Sequence, residues 1–184
     1  MPKSTNQKDR IVQTALKLFA KHGYSNTPIS LIAKTAKVSQ GLMYNFFQSK
    51  EELLKEMMMI GFADIHQSMV SYAQEKDPVK AIELHILKTI EIIKQHQEFW
   101  KLLHTIRLQE KVLGSMKKSF QEVVTNTTTE FQKVFKKMGY KKPELEAILF
   151  LAQIDGMVIL YLQDDTLPID QLGQQLIRRY TLTS

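Results

Sequence analysis

Cysteine is absent from this chain of 184 residues. Its absence excludes disulfide bonds, thiolate catalysis and cysteine-ligated zinc, and it is compatible with a reducing cytoplasm. Glycine and proline are also sparse, with seven and five residues. Because both residues interrupt helices, the long stretches between them predict an all-α protein.

The sequence contains no secretion signal and no run that we expect to cross a bilayer. The longest apolar tract, residues 147–162, is interrupted by Gln153 and Asp155 and is short for a transmembrane helix. We therefore expect a buried helix, no membrane partner and a cytoplasmic location.

Catalytic and metal-binding motifs are missing as well. The five histidines show no HExxH or ExxH pairing, and there is no Walker loop, GxGxxG or GxSxG. We predict no catalytic residue, no metal and no cofactor, and a helical-bundle enzyme is only a remote alternative.

The positive charge is concentrated near the N-terminus. Residues 1–60 contain nine Lys or Arg against four Asp or Glu, which is +5 of the chain's total of +6. A basic first third on a nearly neutral remainder is typical of a phosphate-binding head on a body that does not bind DNA. A solvated lysine surface is the alternative for any single lysine.

Residues 27–50, TPISLIAKTAKVSQGLMYNFFQSK, have the pattern of two short helices joined by a tight turn. Thr27 can cap the first helix, with Pro28 at its opening position. Ser39 can cap a second helix that runs from Gln40 to about Phe46. This spacing predicts a helix-turn-helix motif, which places its second helix in the DNA major groove.

A third helix begins directly after the motif. Ser49 and Glu52 have the spacing of a capping box. Three helix starts so close together leave no room for strands.

This region resembles the DNA-binding region of the TetR family of bacterial transcriptional regulators. The similarity covers about fifty residues: Ile11, Ala15, Leu16, Phe19 and Ala20, the stop His22-Gly23-Tyr24, then Val38 to Tyr44, Phe47 and Ser49 to Leu53. Two residues depart from the family pattern. Lys37 stands where such turns usually have Gly, at a cost of about 1 kcal/mol if the left-handed geometry is kept, and Phe46 stands where the family often has His or Tyr.

The resemblance implies roles for individual side chains. We expect base contacts from Gln40, Gly41, Leu42 and Asn45, and phosphate contacts from Thr27, Ser39, Tyr44 and Lys50. Met43 and Phe47 should pack inward. For Gly41 the alternative is close helix packing, and Thr27 and Ser39 could act only as caps.

The expected architecture has a DNA-binding domain at residues 1–49 and an effector-binding and dimerisation domain at residues 50–184. Residues 50–74 form the connecting helix. Further helices are predicted at 78–95, 98–106, 112–137, 143–162 and 169–180, which makes about nine in total.

The last two predicted helices are candidates for self-association, because the first of them is apolar nearly all round. The resemblance implies a homodimer built on a four-helix bundle and bound to a near-palindromic operator. The predicted interface residues are Leu149, Ala152, Gly156, Leu160, Tyr161, Leu172, Leu176 and Tyr180. A deep monomer core is the alternative.

The body is also expected to hold a small apolar or amphipathic effector that releases a repressor from DNA. His104 or Gln153 could provide a polar anchor. The predicted pocket residues are Phe62, Ile65, Met69, Ile90, Phe99, Trp100, Leu103, His104, Met116, Phe120, Ile154 and Met157. A DNA-binding dimer without a small ligand, controlled by a protein partner, is the alternative.

Overall fold

The computed structural model describes residues 7–181, apart from the side chains at 63–73, 110, 113 and 115. Within this part of the chain the structure is helical and contains no strand, so the all-α prediction is confirmed. The elements are α1 Gln7–His22, α2 Ile29–Thr35, α3 Gln40–Phe46, α4 Lys50–Ala73, α5 Pro78–Gln95, α6 Gln97–Ile106, α7 Glu110–Leu113, a 3₁₀ turn Gly114–Met116, α8 Lys117–Lys137, α9 Pro143–Gln163 and α10 Ile169–Thr181.

Local capping signals account for several of these ends. Asp77 accepts a hydrogen bond from the backbone N–H of Val79 at 3.0 Å, with Pro78 at the first position of α5. Gly139 ends α8 in the left-handed region at φ +84.

The single helix predicted at residues 112–137 is wrong in its first turn. Gly114 adopts φ +39, so the chain forms the one-turn helix α7 and the 3₁₀ turn before α8 begins at Lys117. A residue in the left-handed region cannot continue a right-handed helix. Gly114 was the available sequence signal.

The chain forms two compact units. The first contains the described residues through Ala63 together with Glu98–Met116, and the second contains Asp64–Gln97 and the described residues from Lys117 onward. Helix α4 begins in the first unit and ends in the second. The functional boundary expected at residue 50 stays a prediction.

The first unit has a core built from the apolar faces of its helices. The ring of Phe99 packs directly against Gly61 of α4. Only glycine fits there, because an added Cβ would lie 2.0 Å from ring atoms of Phe99. The fully buried core side chains include Ile11, Phe19, Ile32, Met43, Leu53, Leu54 and Met58.

An aromatic cluster forms the core of the second unit, where α9 packs mainly on α8 and α10 packs mainly on α5. The Phe150 ring lies 4.8 Å from Phe131, 5.6 Å from Phe135 and 5.1 Å from Tyr180, measured between centroids. His85 joins this cluster with its ring 4.7 Å from Phe131. Burial lowers the pKa of His85 from 6.5 to about 3, so the imidazole is neutral in the folded protein.

Helix α9 keeps one apolar face exposed. Leu145, Ile148, Leu149 and Leu160 are each at least half exposed. By length and composition, α9 is the one helix among the described residues that could cross a membrane. A helix of a soluble bundle with one face in the core passes the same test, and Phe150 and Ile154 of α9 are buried in the second unit.

The buried His85 predicts a specific pH dependence of stability. As pH falls below about 6.5 the unfolded chain gains a proton that the folded chain takes up only near pH 3. Folding stability is therefore lost on acidification across that window. Between pH values of about 7 and about 5.5, the free energy of unfolding should fall about 1 kcal/mol more for the wild type than for His85→Leu. Urea unfolding at the two pH values measures this, and equal losses in both proteins would contradict it.

Candidate nucleic-acid interface

Thr27 is a core residue of the first unit. Its side chain is fully buried, and its hydroxyl donates to the carbonyl oxygen of Gly23 at 2.8 Å and lies 3.4 Å from that of Leu18. Pro28 is the residue that precedes α2, which has no side-chain cap. The prediction that Thr27 caps α2 is therefore wrong, because its hydroxyl is used inside the protein. The phosphate contact of Thr27 stays a prediction.

The turn between α2 and α3 has the left-handed geometry expected at Lys37, with φ +54. The N–H of Val38 donates to the carbonyl of Ala33 at 3.0 Å, and that of Lys37 donates to Lys34 at 3.2 Å. These two bonds form a Schellman motif, which normally has Gly at the left-handed position. The left-handed geometry is therefore kept with Lys37 in place of Gly, at a cost of about 1 kcal/mol.

Helix α3 has the predicted bounds and the predicted cap. The Ser39 hydroxyl accepts a hydrogen bond from the N–H of Leu42 at 3.1 Å. On its inner face, Met43 and the following Phe47 are buried, as predicted. These contacts fix which side of the short helix faces solvent.

The outer face of α3 carries the predicted contact residues. Gln40, Gly41, Tyr44 and Asn45 are exposed, and Leu42 lies at the edge of this face with partial exposure. Residues at spacings of one, four and five in a helix share one side. The structure thus places two amides and a phenol together on a surface backed by buried side chains.

Gly41 has no close neighbour. An added Cβ would meet only the Ser39 hydroxyl oxygen, at 4.0 Å. Close helix packing therefore does not explain this glycine, and the open space lies on the exposed face of α3.

The start of α4 is held by the predicted capping box in a slightly shifted form. The Ser49 hydroxyl accepts from the N–H of Glu52 at 3.1 Å, and the Glu52 carboxylate accepts from the N–H of Gln48 at 2.6 Å. In the usual box the carboxylate accepts from the cap residue itself. Both bonds fix the short connection between α3 and α4.

Lys50 points into the first unit. Its ammonium donates to the carbonyl oxygens of Tyr24 at 2.9 Å and Thr27 at 3.2 Å, and it lies 3.4 Å from that of Ser25. It also lies 4.5 Å from the centroid of the Tyr24 ring. Burial lowers the pKa of Lys50. Burial also raises the pKa of Tyr24, and the negative charge of Glu51 raises it to a smaller extent. The ammonium protons are thus directed at carbonyls, and the expected phosphate contact stays a prediction.

Other cations of the first unit remain on its surface. Arg10, Lys17, Lys21, Lys34 and Lys37 are exposed. They account for the basic character that the sequence shows in this region.

The predicted effector residues are divided between the two units. Phe62, Phe99, Trp100, Leu103, His104 and Met116 belong to the first unit, whereas Ile90, Phe120, Ile154 and Met157 belong to the second. None of these ten side chains is exposed, and the side chains of Ile65 and Met69 lie outside the described residues. The pocket stays a prediction.

The polar groups of Gln153, which the sequence suggested as an anchor, and of Trp100 have different environments. The Gln153 amide donates to the Tyr180 hydroxyl at 2.8 Å, and that hydroxyl donates to Glu146 at 3.1 Å. Gln153 is thus hydrogen-bonded through its amide nitrogen within the second unit, and its role as an anchor stays a prediction. Burial is the main cause that raises the pKa of Tyr180 to about 12. In the first unit, the Trp100 indole N–H is buried and has no acceptor within the described part of the chain.

The predicted interface residues fall into two groups. Leu149, Ala152 and Leu160 are exposed, and Gly156 and Leu172 are partly exposed. Tyr161, Leu176 and Tyr180 are instead buried within a single chain, so their side chains pack in the core of the second unit. Sequence reasoning missed the exposed Leu145 and Ile148, which share the open face of α9.

Comparison with known proteins shows what the helix-turn-helix region is similar to. Residues 11–57 match the family described as bacterial regulatory proteins, tetR family. YuxN, an uncharacterized HTH-type transcriptional regulator of Bacillus subtilis, is 36% identical over 90 residues, which are 48% of this chain and 31% of that protein. YhgD, another such regulator of Bacillus subtilis, is 30% identical over 122 residues, 66% of this chain and 61% of that protein.

This chain therefore spans less than two thirds of the length of either relative. Among solved structures, AibR in complex with isovaleryl coenzyme A and operator DNA is similar with a TM-score of 0.74 and 19% identity, over 95% of this chain and 97% of that one. At such identity the likeness concerns the fold. The helix-turn-helix and the helices on either side of it thus form a domain that matches the tetR family of bacterial regulatory proteins over residues 11–57.

Proposed function

We propose that this protein is a sequence-specific DNA-binding transcriptional regulator that reads the major groove with α3. The observation that carries the proposal is the exposed face of α3, with Gln40, Tyr44 and Asn45 on one side and Met43 and Phe47 buried on the other. Helix-turn-helix proteins place such a face against base edges. The names of YuxN and YhgD, both HTH-type transcriptional regulators, support this function. They give no support to the alternative of an enzyme.

The side chains of this face differ in what they can read. The amides of Gln40 and Asn45 can each form two hydrogen bonds with an adenine, whereas Leu42 can touch a thymine methyl group. The Tyr44 phenol and the Ser39 hydroxyl can donate to backbone phosphates, which position the protein without reading sequence. Ser39 can do so while its oxygen caps α3.

A homodimer is supported by the open face of α9. A row of apolar or small side chains runs along it, and burying such a row against a second copy removes it from water. Gly156 lies in the middle, where an added Cβ would have no neighbour within 4 Å. Two heads in two-fold register would read a near-palindrome, which supplies the specificity that one short helix lacks. The row consists of Leu145, Ile148, Leu149, Ala152, Gly156 and Leu160.

Control by a small effector is supported by the buried indole N–H of Trp100 and by the buried apolar side chains of the same unit. Its buried indole N–H lacks an acceptor among the described residues, although an unmade hydrogen bond of a buried donor costs about 1–3 kcal/mol. Phe99, Leu103 and Met116 of the same unit are buried apolar side chains. An apolar molecule that carries a hydrogen-bond acceptor would satisfy the indole.

The regulator would act in the cytoplasm, where bacterial DNA lies. Release from DNA by an effector requires that the ligand bind one shape of the dimer more tightly than the other. Repression is the simplest outcome of a dimer that covers an operator. The solved structure of AibR holds both a ligand and operator DNA, which supports this type of control without identifying the effector of the present chain.

The DNA-binding role predicts the outcome of a selection from random duplexes. Purified wild-type protein should enrich one near-palindromic sequence, because two α3 helices read two half-sites. Sequencing of the bound pool measures this enrichment. Absence of any enriched sequence, with folded protein, would contradict sequence-specific binding.

The same selection tests the dimer when it is repeated with Leu149→Lys. A lysine on the exposed face of α9 should leave each chain folded and break the interface, so the second half-site should be lost from the enriched sequences. Lys133→Ala, at an exposed position of α8, provides the control. An unchanged palindrome with Leu149→Lys would place the interface elsewhere.

Gly41→Ala separates folding from DNA binding. The alanine should stabilise the free protein by about 0.5–1 kcal/mol, because glycine weakens a helix interior and no side chain blocks the added methyl group. Affinity for the selected duplex should nevertheless fall at least about tenfold, since the methyl group would prevent close approach of α3. Urea unfolding and titration with the duplex measure the two effects. Greater stability with unchanged affinity would remove Gly41 from the DNA contact.

The effector proposal predicts a preference for ligands with an acceptor. Methyl decanoate should shift the emission of Trp100, which is the chain's only tryptophan, and should bind about fivefold more tightly than undecane. Trp100→Phe should remove that difference when affinity is measured by thermal stabilisation. If neither compound changes the emission or the melting temperature, control by a protein partner becomes the better account.

A further inference from the structure

Lys50 lies at the first position of α4, and its side chain reaches back to residues that are 23 to 26 positions earlier in the chain. Its ammonium is within hydrogen-bond distance of three carbonyl oxygens of the loop between α1 and α2: those of Tyr24, Ser25 and Thr27. An ammonium has three protons and no acceptor. Its full donor capacity can therefore be used inside the protein.

The ring of Tyr24 adds a second attraction. The ammonium lies 4.5 Å from the ring centroid, within the distance at which a cation is attracted to an aromatic face. Tyr24 in turn packs edge-on against Phe19 at 5.1 Å between centroids, and Phe19 is part of the buried core. Lys50 thus contacts a loop that is itself fixed to α1.

The two segments joined by Lys50 lie on either side of the helix-turn-helix. The loop precedes α2, and α4 follows α3 after a short connection. Thr27 strengthens the loop from inside through its bond to the Gly23 carbonyl. Holding both ends of the motif together limits the orientations that α2 and α3 can adopt.

We propose that Lys50 is a positioning residue for DNA recognition: it holds the α1–α2 loop against the start of α4 and thereby orients α3, and it does not bind a phosphate. This inference rests on the proposed DNA-binding function. A phosphate contact would require the ammonium to give up carbonyl partners within a part-buried site. The lowered pKa of Lys50, caused by burial, agrees with an internal location.

Arginine distinguishes the two roles because it keeps the charge and changes the shape. A guanidinium binds phosphate at least as well as an ammonium. Its planar fork cannot direct three protons from one atom at three carbonyls. Lys50→Arg should therefore preserve a phosphate contact and disrupt the loop contact.

The experiment compares Lys50→Arg and Lys50→Met with the wild type. Lys55→Met is the matched control, since Lys55 lies on the same helix and forms an exposed ion pair with Glu51. Melting temperature is measured without DNA, and affinity for the selected duplex is measured at several salt concentrations. The positioning role predicts melting temperatures about 3–6 °C lower for both Lys50 variants, with affinities at least about tenfold weaker. It also predicts a salt slope for Lys50→Met within about 0.3 of the wild-type slope.

Several results would overturn the proposal. One is a Lys50→Arg protein with wild-type melting temperature and affinity within about twofold. Another is a salt slope for Lys50→Met that is smaller by about 0.9, the value for one lost phosphate contact. A drop in melting temperature for Lys55→Met as large as that for Lys50→Met would show that the loss is not specific to the loop contact.

A measurement on the wild type covers the case in which the variants do not fold. The ammonium protons of Lys50, observed by NMR after labelling of lysine, should exchange slowly with solvent and keep their chemical shifts when the duplex is added. Rapid exchange in the free protein, or a large shift on DNA binding, would contradict the positioning role. If the wild type binds no duplex while both Lys50 variants melt early, the proposed function fails and the structural contact remains.

Discussion

Helix α3, the proposed recognition helix, has seven residues and depends on contacts outside itself. Helix α3 has fewer than two turns, so few of its backbone groups are hydrogen-bonded within the helix. An isolated helix of that length does not persist in water. Burial of Met43 and Phe47, with the cap from Ser39, supplies the missing stability. The same contacts decide which side is exposed, so the surface that we propose for DNA binding is a consequence of how α3 is held in the core.

The connections around α3 serve the same requirement. The turn before it keeps a left-handed Lys37 at an energetic cost, and two capping bonds fix the connection after it. Lys50 then joins α4 to the loop before α2. The orientation of the exposed face of α3 thus depends on several hydrogen bonds between residues that are close in sequence. The contact of Lys50 with the loop before α2 adds one between residues that are distant in sequence.

Local signals in the sequence predicted most of the helices and several of their caps, but the predicted cap of α2 and the predicted start of α8 were wrong. Ser39 and Asp77 act within three residues of their own position, and Pro and Gly mark most of the ends. Contacts between distant segments could not be predicted in this way. Nothing local to Lys50 or Thr27 indicates that the ammonium meets loop carbonyls or that the hydroxyl is buried. For α9, the apolar surface predicted burial of more than one side, and only the structure distinguished the core residue Tyr180 of α10 from the exposed Leu149.

The central claim is that the exposed face of α3 binds DNA. The most direct measurement is the change in backbone amide chemical shifts when a selected duplex is added to labelled protein. The account predicts the largest changes at residues 39–45, with smaller changes along the exposed lysines of the first unit. Large changes confined to other segments, with α3 unaffected, would contradict the assignment of α3 as the recognition helix.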